Sequence, residues 1–160
     1  MIVPMTERDV PAVLAVAEAS FARPWTRDEL EKELARDWAV LRVLRPGQGA
    51  PVASFVALWV VRDEIHVLSI ATHPAARRRG YARYIMEEVL SLARARHVRW
   101  VTLEVRRRNV AALGLYKGLG FAAIGVRPRY YVEDGEDAIV MLLELDPITG
   151  RVEPRTDEPL

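Results

Sequence analysis

The sequence predicts an α/β fold, a single domain in which a mixed sheet is covered by helices on both faces. Three observations carry that reading. The length of 160 residues suits one domain. Helix-like and strand-like segments follow the order β, α, α, three strands, α, β, α, β, β, which combines hairpins with helical crossovers. The run "VASFVALWVV" is apolar on both faces, as a buried central strand must be.

Each element has its own local signal. Met1 to Met5 is a short strand, and Val10, Val13, Leu14 and Ala17 then fall on one helical face. Pro11 is tolerated only in a first turn, which favours Asp9 over Thr6 as the cap of that helix. In "RPWTRDEL", Thr26 and Glu29 form a capping box and Trp25 and Leu30 occupy the positions of a hydrophobic staple, so a second helix starts at Arg27.

Trp38 to Leu44 alternates like a strand, "RPGQGAP" is a turn, and "RDE" turns the central run into a strand from Ile65 to Thr72. From Gly80 onward Ala82, Ile85, Met86, Val89, Leu92 and Ala93 recur at helical spacing, a helix of about four turns. A strand from Val98 to Arg106 precedes a helix capped by Asn109 and stopped at Gly118 or Gly120. "FAAIGVRPRYY" and "DAIVMLLEL" are two further strands around "VEDGE", whose Asp134-Gly135 pair signals a hairpin. The tail from Asp146, with Pro147, Pro154 and Pro159 among charges, is expected to be loosely ordered.

Composition excludes several classes of function. A hydrophobic share of 51% with 28% charged residues belongs to a folded domain rather than a disordered chain. A formal charge of +1 gives no general attraction to nucleic acid or an anionic membrane, and any basic site is local. The absence of cysteine removes disulfides, thiolate nucleophiles and thiolate metal ligands. The longest apolar run, Ala50 to Val61, is too short to span a bilayer, and the N-terminus lacks a signal pattern, so a cytoplasmic location is expected.

Two stretches suggest chemistry. Arg77, Arg78 and Arg79 stand against Gly80 on a strand-to-helix turn, where exposed backbone N–H groups at a positive helix end accommodate phosphate. The same spacing is also compatible with a packing turn flanked by solvated arginines. Glu104 sits in the otherwise apolar strand "WVTLEVR", as a general base at a cleft does, or as one half of a structural ion pair. Tyr116 on the following helix reads as a packing residue when taken alone. His66, His73 and His97 show no ligand spacing, so each is assigned a structural or surface role and no metal is expected. The basic runs lack the interleaved aromatics of a nucleic-acid surface.

Taken together, these stretches resemble the GNAT superfamily of N-acetyltransferases, and within it the RimI-type ribosomal-protein-alanine N-acetyltransferases. Arg77-x-x-Gly80-x-Ala82 matches the acetyl-CoA motif of that family, and "LEVRRRNVAALGLYKGLGF" matches its second half. "FARPWT" is similar to a segment of RimI-type enzymes, and "RYYVEDGEDAIVM" to the closing hairpin of protein N-terminal acetyltransferases. The likeness covers residues 1 to about 145, leaving residues 146–160 as a tail.

The resemblance implies a seven-stranded, mostly antiparallel sheet and a set of roles. Backbone at Ile70, Ala71 and Thr72 would position the thioester; Arg77, Arg78, Arg79, Gly80, Tyr81, Ala82 and Arg83 would hold the CoA pyrophosphate, more through amides than guanidinium groups. Asn109 and Tyr116 would contact the same cosubstrate. Glu104 would serve as general base and Tyr116 as general acid in a direct transfer, with Pro24, Trp25, Tyr130 and Tyr131 lining a groove for the acceptor peptide. The implied partners are acetyl-CoA and a protein N-terminus, with neither nucleic acid nor membrane; the oligomeric state is left open. Two alternatives remain at this point: a small-molecule amine as acceptor, or an acyl-CoA-binding module without turnover. Arg108 and Thr72 depart from the usual residues of the family, and neither is a proton-transfer group.

Overall fold

Alternating branched and aromatic side chains form the strands of the computed structural model, which describes residues 1–160. In chain order the elements are β1 (Ile2–Pro4), α1 (Val10–Ser20), α2 (Arg27–Ala35), β2 (Ala39–Leu44), β3 (Ser54–Val61), β4 (Glu64–Thr72), α3 (Tyr81–Ala95), β5 (Trp100–Arg106), α4 (Val110–Leu119), β6 (Ala122–Tyr131), β7 (Glu136–Leu145) and β8 (Val152–Glu153). The sheet runs β1-β2-β3-β4-β5-β7-β6, with β8 beside β7. Pairing is antiparallel for β1–β2, β2–β3, β5–β7, β6–β7 and β7–β8, and parallel for β4–β5. The mixed, mostly antiparallel α/β sheet anticipated from the sequence is therefore present, and its seven principal strands gain a two-residue eighth.

Packing divides the chain into two units, residues 1–60 with 68–90 and residues 61–67 with 91–160. In the first, Val10, Val13 and Val16 of α1 and Leu30 of α2 bury against Leu41, Val43, Phe55 and Ala57. The Thr26 hydroxyl accepts from the Glu29 N–H at 3.2 Å while the Glu29 carboxylate accepts from the Thr26 N–H at 3.1 Å, the reciprocal cap read from the sequence. Leu30 is buried and Trp25 packs on the same core, so the staple also forms. Further along α2, the Glu33 carboxylate accepts from Trp59 Nε1 at 2.7 Å and Arg36 Nε at 3.1 Å, tying this helix to β3.

Asp9 stands at the N-cap position expected for it, but its side chain makes no capping hydrogen bond. A short 3-10 turn over Glu7–Asp9 precedes α1, and Asp9 turns its carboxylate back to accept from the Thr6 N–H at 2.9 Å and from Arg45 at 2.6 Å. Burial pushes the Asp9 carboxyl up, but Arg45 and Thr6 outweigh it and hold the group below its ordinary range. A tertiary arginine has thus taken the side chain away from the helix.

In the second unit β5 alternates strictly, burying Val101, Leu103 and Val105 and turning Thr102, Glu104 and Arg106 to the other face. Asn109 Oδ1 accepts from the Ala112 N–H at 3.1 Å as the cap of α4, and Gly120 ends that helix with φ 109°. The tail is not loose. β8 pairs with β7, the Asp146 carboxylate accepts from the Ile148 and Thr149 N–H groups, and Asp157 meets Lys117 at 2.8 Å and the Ala123 N–H at 3.0 Å. Each proline there sits where no ladder hydrogen bond is asked of it, so the charged residues between them remain free to pair.

Candidate active site

Residues 73–83 form the turn and first helical residues that follow β4. A 3-10 turn spans Pro74–Ala76, with the His73 ring accepting from the Ala75 N–H at 3.0 Å. Arg77 folds back so that Nε donates to the Thr72 carbonyl at 3.4 Å. Arg78 and Gly80 both lie in the left-handed region, at φ 64° and 78°. For Arg78 this conformation is disfavoured; for Gly80 it is permitted by the missing Cβ, and open space lies where that Cβ would be. The two reversals turn the chain into α3, whose first intrahelical bond runs from the Tyr84 N–H to the Gly80 carbonyl at 3.0 Å. The N–H groups of Tyr81, Ala82 and Arg83 precede it and lack that kind of partner, at the positive end of a 15-residue helix. These residues fit a pyrophosphate held by backbone, while Arg78 and Arg79 stay exposed beside it.

Strand register builds a second group of residues. His66 of β4 pairs with Thr102 of β5, placing it on the same sheet face as Glu104 two residues further along. Arg106 and Arg127 both pair with Ala138 of β7, from its two sides, and so share that face too. His66 Nε2 lies 2.8 Å from Glu104 Oε2, and Arg127 Nη2 lies 3.5 Å from Glu104 Oε1. The Glu104 side chain is only 11% exposed. Burial pushes its carboxyl up, but His66 and then Arg127 outweigh burial and hold Glu104 below the usual carboxylate range.

Three tyrosines complete this group. Pro128 and Arg129 interrupt the β6 ladder between Arg127 and Tyr131, Arg129 adopting φ 51° with its N–H donating to Asp137 Oδ1 at 3.0 Å. This irregularity carries Tyr130 and Tyr131, whose rings meet edge to face at 5.1 Å. Arg106 lies over the Tyr131 ring at 4.0 Å, held by Glu133, by Asp134 at 2.8 Å and by Glu136 at 3.0 Å. Arg127 lies over Tyr130 at 5.7 Å. Tyr116 is buried on α4 with its ring edge on Phe121 at 5.8 Å. Burial pushes the Tyr116 phenol up to about 12, and Tyr131 adds to it. Burial likewise pushes Tyr131 up to about 12, with Tyr130, Glu104 and Glu136 adding and Arg106 opposing.

Of the residues singled out in the sequence, Tyr130 and Tyr131 are thus brought together ring against ring, Arg127 links Tyr130 to Glu104, and Tyr116 is buried on α4. Ile70, Ala71 and Thr72 end β4, the segment Arg77–Arg83 forms the turn and helix start, and Asn109 spends Oδ1 on its cap while its amide N–H groups remain available. Pro24 and Trp25 lie half-buried ahead of α2. The contacts of His66 and Arg127 with Glu104, and of Arg106 with Tyr131, were not anticipated; the structural or surface role expected for His66 is compatible with its bond to Glu104, and the signal for that pairing is that both are polar interruptions of adjoining strands.

The sequence profile of the acetyltransferase (GNAT) family matches residues 10–121. The ribosomal protein bS18-alanine N-acetyltransferase of Escherichia coli K12 is 32% identical over 139 residues, covering 86% of this chain and 92% of its own. The enzyme of the same name from Salmonella typhimurium is 31% identical, over 88% of this chain and 95% of its own. The crystal structure of the ribosomal-protein-S18-alanine N-acetyltransferase from Escherichia coli superposes with a TM-score of 0.82 at 30% identity, covering 100% of this chain and 97% of that one. Ard1 from Thermoplasma volcanium, 24% identical with a TM-score of 0.78, shares the fold over 97% of this chain and 98% of its own. Family profile, relatives and fold agree with one another: the chain belongs to the GNAT acetyltransferase family, and it is an N-acetyltransferase similar to the RimI-type enzymes.

Proposed function

We propose that this enzyme transfers the acetyl group of acetyl-CoA to the α-amine of a protein N-terminus, most simply an alanine-starting ribosomal protein of the small subunit. The single observation that carries this reading is the partly buried Glu104, held by His66 and by Arg127, which also lies over the ring of Tyr130. The names of the relatives support the choice of acceptor.

In this reading the amides of Tyr81, Ala82 and Arg83, with the Gly80 turn, hold the pyrophosphate, and the backbone of Ile70, Ala71 and Thr72 orients the thioester and its developing oxyanion. Asn109 donates to the same cosubstrate. Pro24, Trp25, Tyr130 and Tyr131 receive the first residues of the acceptor.

Glu104 takes one proton from the acceptor ammonium, through a water molecule, and His66 shares it. The His66 ring nitrogen at 2.8 Å and the Arg127 guanidinium keep the Glu104 carboxylate ionised and oriented to accept. The free amine forms the new C–N bond at the thioester carbon, the C–S bond breaks, and the amine's second proton passes through water to the phenolate that Tyr116 leaves as the amide forms. Tyr116, kept protonated by burial, donates to the departing thiolate. No covalent enzyme intermediate is required, in keeping with a chain that has no cysteine.

The test is incubation with acetyl-CoA and a panel of N-terminal peptides and free amines, following CoA release and locating the acetyl group by mass spectrometry. Acetylation confined to the α-amine of alanine- or serine-starting peptides is the expected result. Acetylation of free amines alone would overturn the choice of acceptor and return Tyr130 and Tyr131 to structural roles.

A further inference from the structure

The cations around Glu104 are not equivalent. Arg106 is saturated by Glu133, Asp134 and Glu136, and Arg107 is paired with Asp137 at 3.0 Å. Arg127 differs: its one ion-pair partner is Glu104, the 3.5 Å contact carries no hydrogen bond, and the side chain is 56% exposed. Its other neighbour is the ring of Tyr130, itself 45% exposed. Arg127 is therefore the most loosely held cation of the site, beside the candidate base on one side and an aromatic of the candidate acceptor groove on the other.

We infer that Arg127 is a positioning residue linking Glu104 to Tyr130, so that a peptide engaging Tyr130 draws the guanidinium away from Glu104 and leaves the His66–Glu104 pair a stronger proton acceptor. The inference rests on Glu104 acting as base. An exposed guanidinium on a long side chain gives up a loose carboxylate contact at little cost, whereas Arg106, with three carboxylates, does not. The ionisable groups facing Glu104 are His66 from β4 and Arg127 and Tyr131 from β6. Removal of the Arg127 cation can only tighten proton binding by the His66–Glu104 pair.

The experiment compares the full chain with Arg127→Gln and Arg127→Lys, measuring kcat/KM for an alanine-starting peptide against pH. Arg127→Gln should move the acid limb up by about half a pH unit and raise the peptide KM several-fold, leaving the KM for acetyl-CoA within about twofold. Arg127→Lys should restore the limb but not the peptide KM, because an ammonium stacks less well on tyrosine. Raising ionic strength should shift the limb of the wild type toward that of Arg127→Gln and leave the variant in place. Tyr130→Leu combined with Arg127→Gln should lose less than the product of the single losses. An unmoved acid limb in Arg127→Gln, or fully independent effects at Arg127 and Tyr130, overturns the coupling while the acetyltransferase reading stands. Full turnover in Glu104→Gln overturns both.

Discussion

The turn ahead of α3 and the polar face of β5 are both rich in arginine, and they use it in opposite ways. On the turn, Arg78 and Arg79 point into solvent without a carboxylate partner, and Arg77 only braces the Thr72 carbonyl. What is presented there is backbone, the amides at the start of α3, and the arginines lend a general positive field. On the β5 face every arginine has a side-chain partner: Arg106 is tied to three carboxylates and Tyr131, and Arg127 to Glu104 and Tyr130. In the proposed function, anion binding would be built from main chain, and proton chemistry from side chains whose placement depends on strand register.

The most severe way to break this contrast is at the base. Glu104→Gln should lower turnover by roughly 10²-fold or more while acetyl-CoA affinity, measured by calorimetry, stays within about twofold. The same variant separates a pH effect. Because Glu104 is held below its ordinary value of 4.5 in the folded chain, it contributes stability above that pH which is lost as pH falls through the lowered value. Urea midpoints taken from acid to neutral pH should show that component in the wild type and not in Glu104→Gln.

Next in size is the turn itself. Gly80→Val forces a β-branched residue into φ 78°, a strain of about 1 to 2 kcal/mol that should appear as a roughly tenfold weaker affinity for acetyl-CoA with little change in the pH profile. His66→Gln should act on the other half of the comparison. It removes the largest influence holding Glu104 low, so the acid limb of kcat/KM should move up and turnover fall several-fold, with acetyl-CoA affinity preserved. The smallest effect is expected for Arg78→Ala with Arg79→Ala, a two- to threefold rise in the acetyl-CoA KM that fades with salt, because the amides remain. A loss as large as that of Gly80→Val would mean that the guanidinium groups, not the main chain, hold the phosphates.

The sequence reading reached different depths in the two regions. Gly80 and the helical periodicity that follows it are local, and a turn with left-handed glycine can be read from a few adjacent residues. The same holds for Thr26 and Glu29, whose cap forms within one helical turn, and for Asn109 at the start of α4. His66 and Glu104 are 38 positions apart, and nothing local sets which rung of β4 meets which rung of β5. Asp9 shows the reverse case: it stands at the cap position its residue type favoured, but Arg45, 36 positions away, recruited the carboxylate.

By itself, then, the sequence determined the order of strands and helices, the Thr26 and Asn109 caps and the glycine turn, because each of these depends on periodicity or short spacing, while its motifs carried the resemblance to the family. Tertiary structure alone decided that Glu104 would be flanked by His66 and Arg127, that Arg106 and Arg127 would both pair with Ala138, and that the proline-rich tail would close along β7. Those outcomes follow from sheet register and long-range charge pairing, whose energies are settled between residues far apart in the chain.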